Sequence, residues 1–357
     1  MLFKVFQSFV KSFLFRDISG SKIKKIIWGH SETLEYGPGV RTRRLRDSLK
    51  NIKLHKHIIY MQSHWPWYEI LFYSISSKIY QTPIIFNQNG IYKKSYKSTY
   101  WLNNIIILIG LFSADYIVYQ SFFCKESVKS ITPRLIWPLL LKKKSKRILN
   151  PSPYEFFDEN LNSNSHNIVI SNAFGEDRLY YCEYLLDLFP TLSIREDIKT
   201  ISIVGPFLSS INKNELLKAK FNSLFDSFTA EEASKIIFHG YLNQFDLRKV
   251  LKDSTLAIHL NYADPAPNMV AEFIAFSIPL IVNIFGGSKE IAGEACMFTR
   301  NELKYQENYM PDIKNVLSLL DSIIYDYKSF KDKAIVQARK LSIDNYTRLH
   351  LDIIEQL

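Results

Sequence analysis

The chain has 357 residues, 47% of them apolar and 14% aromatic. That length suits about two domains, and the composition excludes a disordered or fibrous protein. Its three cysteines, Cys124, Cys182 and Cys296, stand far apart without a Cys-x-x-Cys pair. A disulfide framework and a zinc ribbon are therefore excluded, and a reducing, cytoplasmic compartment is expected. The net charge of +10 is unevenly divided: residues 1–150 carry 25 Lys and Arg against 7 Asp and Glu, a local +18, and the remainder carries 20 against 28, a local −8. The basic half is expected to meet an anion, whether nucleic acid, an anionic bilayer or a phosphorylated small molecule.

In chain order, "MLFKVFQSFVKSFLFRD" comes first. Lys4, Lys11 and Arg16 interrupt it and no small-residue cleavage site follows, so it does not fit a signal peptide. Residues 2 to 14 fit a basic amphipathic helix, suited either to a membrane surface or to the protein's own sheet. Short β-branched runs then occur at "KKIIWGH", "KHIIYMQ", "PIIFNQ" and "DYIVYQ", each followed by a stretch with helical spacing. The run "IIILIGLF" from Ile105 is too short to span a bilayer and is expected to be a core helix. Trp65 and Trp67 in "HWPWYE" are expected either as an exposed aromatic edge or as core.

A Lys run, a Pro/Ser stretch and an Asn/Ser tract follow in "LKKKSKRILNPSPYEFFDENLNSNSHN", which reads as an interdomain linker. The second half repeats the alternation with "NIVISN", "KTISIVGP", "KIIFHG", "TLAIHL" and "PLIVNIF". Strands alternating with helices predict parallel sheets covered on both faces. The expected organisation is α/β: a Rossmann-like domain over 1–150, a linker over 151–166, a second Rossmann-like domain over 167–330, and C-terminal helices over 331–357 that cross back to the first domain. Ligands of such sheets sit beyond the carboxyl ends of the strands, and a cleft between two facing domains is the expected site.

The stretch "HLNYADPAPNMVAEFIAFSIPLIVNIFGGSKE" carries the most chemistry. A strand ends in the loop "ADPAP", and Asn268 after Pro267 reads as an N-cap. The helix then runs until Ser277-Ile278-Pro279. Its first turn offers unpaired backbone N–H groups and a partial positive charge, which suit a phosphate. Glu272 lies one turn in, placed to accept hydrogen bonds from a sugar diol; the plain alternative is a carboxylate that complements the helix dipole. Gly286 and Gly287 allow close backbone approach to a ligand, and Glu290 suits a hydroxyl. No Asp-x-Asp occurs in the chain, and the histidines His30, His64 and His259 lack zinc-site spacing.

These residues resemble the GT-B glycosyltransferases, particularly the large retaining family numbered four. That family carries Glu-x7-Glu, a helix of the type "EAMACGLPVI", and a "GG…E" turn. Here the frame is Asp264, seven residues, Glu272, then "FIAFSIPLIV" and "GGSKE"; the "DPAPN" version is similar to a bacterial subgroup with "PNVVVEALACGLPV". "ADYIVYQSFFCKES", "ILNPSPYEFF", "NIVISN", "ISIVGP" and "EYGPGV" resemble further family segments. The resemblance implies two Rossmann-like domains facing a central cleft and a nucleotide-diphosphate sugar as donor, with no cofactor and no metal.

It also implies roles. Glu272 would hold the ribose, and the backbone of Pro267, Asn268 and Met269 would face the diphosphate. Gly205, Gly286, Gly287 and Glu290 complete the donor set, with Gly37 and Gly39 approaching from the first domain. Asp264 would contact the donor sugar; it stands where the family has Glu, one methylene longer. Asn89 stands where the family often has His, and cannot act as acid or base near neutral pH. The family's Arg and downstream Lys reduce here to Arg178, expected as the diphosphate clamp. Asp264, Arg178 and Asn89 form the expected catalytic set.

Arg41 and Arg44, with Arg43 and Arg46, follow the "GPG" loop, and Lys93, Lys94 and Lys97 follow "NQNG". They are expected either as solvated helix faces or as a surface for an anionic acceptor or the inner face of the membrane. The expected function is transfer of a sugar, with retention, to a glycan or lipid-linked acceptor in surface polysaccharide or glycolipid assembly. A sugar-nucleotide epimerase or hydrolase of the same fold, and a non-catalytic binding or scaffold subunit, remain as alternatives. Nucleic-acid binding is disfavoured because no nucleic-acid module is recognisable.

Overall fold

A computed structural model describes residues 25–28, 38–50, 52–92, 99–152, 165–172, 178–299 and 309–357, with side chains from Thr42 onward in the second segment. Gly37, Lys93, Lys94, Lys97, His30, the amphipathic stretch 2–14 and most of the linker, 153–164, lie outside the described residues. The chain forms two compact units, one of residues 1–151 with 341–357 and one of residues 152–340.

The first unit alternates β1 (Ile26–Trp28), α1 (Pro38–Ser48), β2 (Ile58–Gln62), α2 (Trp67–Tyr80), β3 (Ile84–Gln88), α3 (Tyr100–Ser113), β4 (Tyr116–Tyr119), α4 (Phe122–Ile131), α5 (Trp137–Leu141) and β5 (Lys144–Arg147). All five strands are parallel, in the order β1-β2-β3-β4-β5. Strands β2, β3 and β4 are fully buried because helices cover both faces. Ile70 and Tyr73 of α2 with Ile107 and Leu111 of α3 pack on one face around Phe86. Leu45 of α1 and Leu49 just after it pack on the other.

Two expectations change here. The Lys run read as linker is instead β5, paired with β4 from Tyr116↔Lys144 to Tyr119↔Arg147. Its side chains are exposed because it is the edge strand, so it never acquires the apolar run of a central strand. The "GPG" segment read as a loop places Pro38 and Gly39 in the first turn of α1, where the fixed φ of proline favours a helix start. Arg41 and Arg44 therefore belong to that helix, Arg44 half-buried. Trp65 is buried and Trp67 is exposed, so the aromatic pair is divided.

The second unit comprises β6 (His166–Ser171), α6 (Leu179–Ser193), β7 (Ile198–Val204), α7 (Phe207–Ile211), α8 (Glu215–Ser227), α9 (Ala230–Ser234), β8 (Ile236–Gly240), α10 (Gln244–Asp253), β9 (Leu256–His259), α11 (Asn268–Ala275), β10 (Leu280–Asn283), α12 (Ser288–Ala292), β11 (Cys296–Thr299), α13 (Ile313–Tyr325) and α14 (Tyr327–Lys340). Its six parallel strands run in the order β11-β10-β9-β6-β7-β8. The chain builds outward from β6 through β7 to β8, then returns to the other side of β6 with β9. The reversal of strand order thus falls between β6 and β9. Strand β11 was not legible as a strand in "ACMFT", which is short and mixed in character.

The last helix, α15 (Ile343–Glu355), completes the first unit. A buried hydrogen-bond chain holds it. Gln120 Nε2 donates to Asn87 Oδ1 at 2.9 Å, and Asn87 Nδ2 donates to Tyr60 Oη at 2.7 Å. Tyr60 Oη and His350 Nε2 are 3.0 Å apart, and His350 Nδ1 lies 2.9 Å from the Tyr346 carbonyl. A neutral imidazole protonated on Nδ1 satisfies every link, with Tyr60 donating to Nε2. Burial lowers the His350 pKa from 6.5 to about 4, the Tyr346 carbonyl opposing and Lys146 reinforcing. Among the described residues no helix is long and apolar enough to cross a membrane.

Because the folded pKa of His350 lies below its unfolded value, only the unfolded chain takes up this proton between pH 6.5 and 4. Its contribution to stability is constant above pH 6.5 and falls below it, by up to about 1.4 kcal/mol per pH unit. Thermal melts at pH 7, 5.5 and 4.5 should show this decline, and His350→Gln should make it shallower. At Gly110 of α3, an added Cβ would overlap the ring of the wholly buried Phe86. Gly110→Ala should cost about 1–3 kcal/mol in a denaturant titration, the usual range for overpacking a core.

Candidate functional site

The site grows from the carboxyl ends of β6, β9 and β10, three neighbouring strands of the second unit. Beyond β9 the chain runs Leu260 to Pro267 before entering α11. Tyr181 of α6 is wholly buried and its hydroxyl accepts from the Leu260 amide at 3.4 Å. Tyr262 packs on Phe285 with ring centroids 4.8 Å apart. Ala263 adopts φ 52°, a left-handed conformation that a non-glycine residue adopts only when its surroundings impose it.

Two backbone hydrogen bonds impose it. The Ala263 amide donates to the Phe285 carbonyl at 2.7 Å, and the Gly287 amide donates to the Asp264 carbonyl at 2.8 Å. Gly286 lies between them at φ 145°, and a Cβ there would stand 2.7 Å from the Asp264 carbonyl oxygen. The carboxylate loop and the glycine turn are thus one laced structure. Asp264 Oδ1 also accepts from the Ala266 amide at 3.3 Å. At the end of β10, Asn283 Oδ1 accepts from the Phe285 amide at 3.0 Å, which fixes the entry to the turn.

Pro267, at φ −66° and ψ 121°, is the N-cap of α11, and Asn268 is its first helical residue. This corrects the expected Asn268 cap: a cap needs non-helical backbone and a carbonyl, which Pro267 supplies without a side-chain acceptor. The helix also ends sooner, at Ala275, because Ser277 turns to φ 56°. The amides of Asn268 and Met269 stand in the first turn, where no intrahelical acceptor exists. Glu272 follows one turn on, only 8% exposed. Glu290 occupies the first turn of α12 and is half-buried.

Arg178 enters from the carboxyl end of β6, directly before α6. Its Nη1 donates to Asn172 Oδ1 at 2.7 Å, and the Asn172 amide donates to the Val204 carbonyl at 3.3 Å. His259, the last residue of β9, is only 2% exposed. Burial lowers its pKa from 6.5 to about 4; Asp264 opposes that shift and Arg178 reinforces it. His259 is therefore a neutral imidazole near pH 7, and it registers both charges. Gly205 lies one strand further along, its amide bonded to the Gly240 carbonyl at 2.8 Å.

Among the expected residues, the structure brings Arg178, Asp264, Pro267, Asn268, Met269, Glu272, Gly286, Gly287 and Glu290 to one end of one sheet. Gly39, Arg41, Arg44 and Asn89 belong to the first unit. Asn89 follows β3, where its amide donates to Ser63 Oγ at 3.1 Å and its side chain meets Ser63 Oγ and His64 Nδ1, the latter at 2.9 Å. The imidazole of this strand end comes from β2 rather than β3. Asn172 and Tyr181 escaped the sequence reading. Asn172 was marked only as a polar residue ending an apolar strand, and Tyr181 carried no local signal. Among the described residues, no group of three or more His, Cys, Asp or Glu is placed to hold a metal.

Gly286→Ala tests the lacing. The new Cβ displaces the Asp264 carbonyl and strains φ, costing about 1–3 kcal/mol. A melting-temperature drop is expected, larger than that for Gly287→Ala.

No protein-family model and no curated protein matches the sequence. Solved structures do match its fold. Anabaena Alr3699/HepE in complex with UDP aligns over 89% of this chain and 82% of its own, with 12% identity and a TM-score of 0.63. Sucrose-phosphate synthase from Thermosynechococcus elongatus aligns over 90% and 82%, with 11% identity and a TM-score of 0.61. A UDP-forming α,α-trehalose-phosphate synthase from Burkholderia xenovorans aligns over 90% and 80%, with 10% identity and a TM-score of 0.60. The chain has the fold of these GT-B glycosyltransferases, two Rossmann-like α/β domains in tandem.

Proposed function

We propose that the protein is a glycosyltransferase that moves a sugar from a nucleotide-diphosphate donor to a glycan or lipid-linked acceptor, with retention of configuration and without a metal. One observation carries this reading. Arg178, bonded to Asn172, and Asp264 stand just past the carboxyl ends of β6 and β9, the neighbouring strands between which the strand order reverses. That crevice is where open parallel sheets bind ligands. It lies beside the N-terminus of α11, whose amides and dipole suit a diphosphate. Glu272, one turn in, suits a ribose diol. The HepE structures, which contain UDP, UDP with glucose, and UDP-glucose, support the donor class.

In the proposed step the bond between the anomeric carbon and the diphosphate oxygen breaks, and that oxygen keeps the electron pair. The acceptor hydroxyl oxygen bonds to the anomeric carbon on the same face, and its proton passes to the departing phosphate. Arg178 and the α11 amides stabilise the growing phosphate charge. His259 is neutral at pH 7, so it does not compete with Arg178 for that charge. Asp264, short and held by its backbone, is assigned to a donor-sugar hydroxyl.

A thermal-shift screen against nucleotides and nucleotide sugars tests the site. A ligand at 100 times its Kd should add about 2.7 kcal/mol of stability. Glu272→Ala should abolish the shift while keeping the unliganded melting temperature within a few degrees. Arg178→Ala should lower turnover by about 100-fold or more, the usual cost of losing one charge-stabilising donor. Turnover within a few-fold of wild type would remove Arg178 from the mechanism. Donor consumption that proceeds equally without acceptor would instead identify a hydrolase or epimerase.

A further inference from the structure

Consecutive hydrogen bonds tie the Asp264 loop to a helix that carries none of the expected site residues. The Gly287 amide donates to the Asp264 carbonyl at 2.8 Å, and the Ile291 amide donates to the Gly287 carbonyl at 3.2 Å. Gln337 of α14 extends this line: its Nε2 donates to the Ile291 carbonyl at 2.7 Å. Three hydrogen bonds thus run from the Asp264 loop through α12 to one side chain 46 positions beyond Ile291. Glu290 lies within that span, in the first turn of α12.

The surroundings of Gln337 are shaped for this contact. Helix α12 has only five residues, so its own hydrogen bonds do little to fix its direction, and its last carbonyls have no partner inside the helix. The Gly293 amide donates to the Lys289 carbonyl, and Gln337 serves that of Ile291. Gly293 makes the room: its φ is 62°, and a Cβ there would stand 2.8 Å from the Gln337 amide carbon and from Oε1. Gln337 is only 7% exposed, and Ala334 and Ala338 of the same helix are buried too. Helix α14 packs on α11 and on the tight turn Gly293–Ala295. An apolar side chain would fill this space equally well. A buried amide is costly unless its hydrogen bonds form, so a glutamine here selects one placement of α12.

We propose that Gln337 is a positioning residue for sugar transfer. Through the Ile291 carbonyl it holds α12, and with it Glu290 and the Asp264 loop, in place for the sugar end of the donor. The proposal rests on the glycosyltransferase reading. In that reading Asn268, Met269 and Glu272 of α11 meet the diphosphate and the ribose, and Asp264 and Glu290 are the carboxylates left for sugar hydroxyls. Gln337 acts on the second set, so its loss should be felt by a nucleotide sugar and not by the nucleotide alone.

Binding of UDP-glucose, ADP-glucose and GDP-glucose to the full chain, each compared with its free nucleoside diphosphate, is the test. For the pair that the wild type binds, Gln337→Met keeps the length of the side chain and removes its donor. It should weaken the nucleotide sugar by about 10-fold, the scale of one hydrogen bond lost at a buried carbonyl. The free nucleotide should stay within about two-fold, as for a site that shares no partner with the substitution. Gln337→Glu gives a readout that a packing role would not move. Its carboxylate cannot donate to the Ile291 carbonyl, whereas its protonated form can. Burial raises the pKa of such a carboxyl, so nucleotide-sugar affinity, relative to wild type at each pH, should recover between about pH 8 and about pH 5.5. Equal weakening of nucleotide and nucleotide sugar by Gln337→Met would overturn the proposal, as would no weakening of either. A folded Gln337→Glu that stays weak at acid pH would overturn it too, and this variant decides alone if melting shows that Gln337→Met does not fold. A wild type that binds no member of the panel would overturn the donor reading, and this proposal with it, before any substitution is made.

Discussion

The candidate site depends on two backbone hydrogen bonds, Ala263 to Phe285 and Gly287 to Asp264. They bring the loop after β9 against the turn after β10 so closely that position 286 has no room for a Cβ. Ala263 is forced into a left-handed conformation as a result. Backbone carries this contact, so its geometry is rigid in a way that side-chain contacts are not. Asp264 is thereby fixed relative to α11 before any ligand is present, and the amides of that helix keep a constant direction. Preorganised dipoles of this kind need no rearrangement as charge develops.

Around this frame the buried polar groups are arranged for neutrality. His259 and His350 lie in different units, and burial dominates the shift of each to a pKa of about 4. Their surroundings differ. His350 closes a chain of four hydrogen bonds from Gln120 to the Tyr346 carbonyl, and so ties the C-terminal helix to β2, β3 and the residue that follows β4. His259 instead feels two opposite charges, the Asp264 carboxylate opposing its shift and the Arg178 guanidinium reinforcing it. The same imidazole chemistry thus serves attachment in one unit and, in the proposed reading, the electrostatics of a binding site in the other.

Much of the fold was legible because parallel strands buried on both faces leave continuous apolar runs. Nine of the eleven strands among the described residues carried that signature. Strand β5 did not, since an edge strand with exposed lysines looks like a linker, and β11 was too short. The site was legible in part for a similar reason. Pro265, Pro267, Gly286 and Gly287 punctuate an otherwise apolar segment, and punctuation survives in one dimension. Tyr181 was missed, and His64 was read only as a histidine without zinc-site spacing, because each acts on a partner distant in sequence. Tyr181 meets Leu260 across 79 positions, and His64 meets Asn89 across 25.

The sequence by itself determined the class of architecture, the alternation of strands and helices, and the segment in which Asp264, Glu272 and the two glycines stand. Periodicity and turn chemistry are local, and local rules fix them. Only the tertiary structure decided that the strand order reverses between β6 and β9, so that Arg178 and Asp264 act on one histidine. It also decided that Pro267 rather than Asn268 caps α11. Those outcomes follow from which strands pair, and pairing is settled by burial of whole faces rather than by any residue's neighbours along the chain.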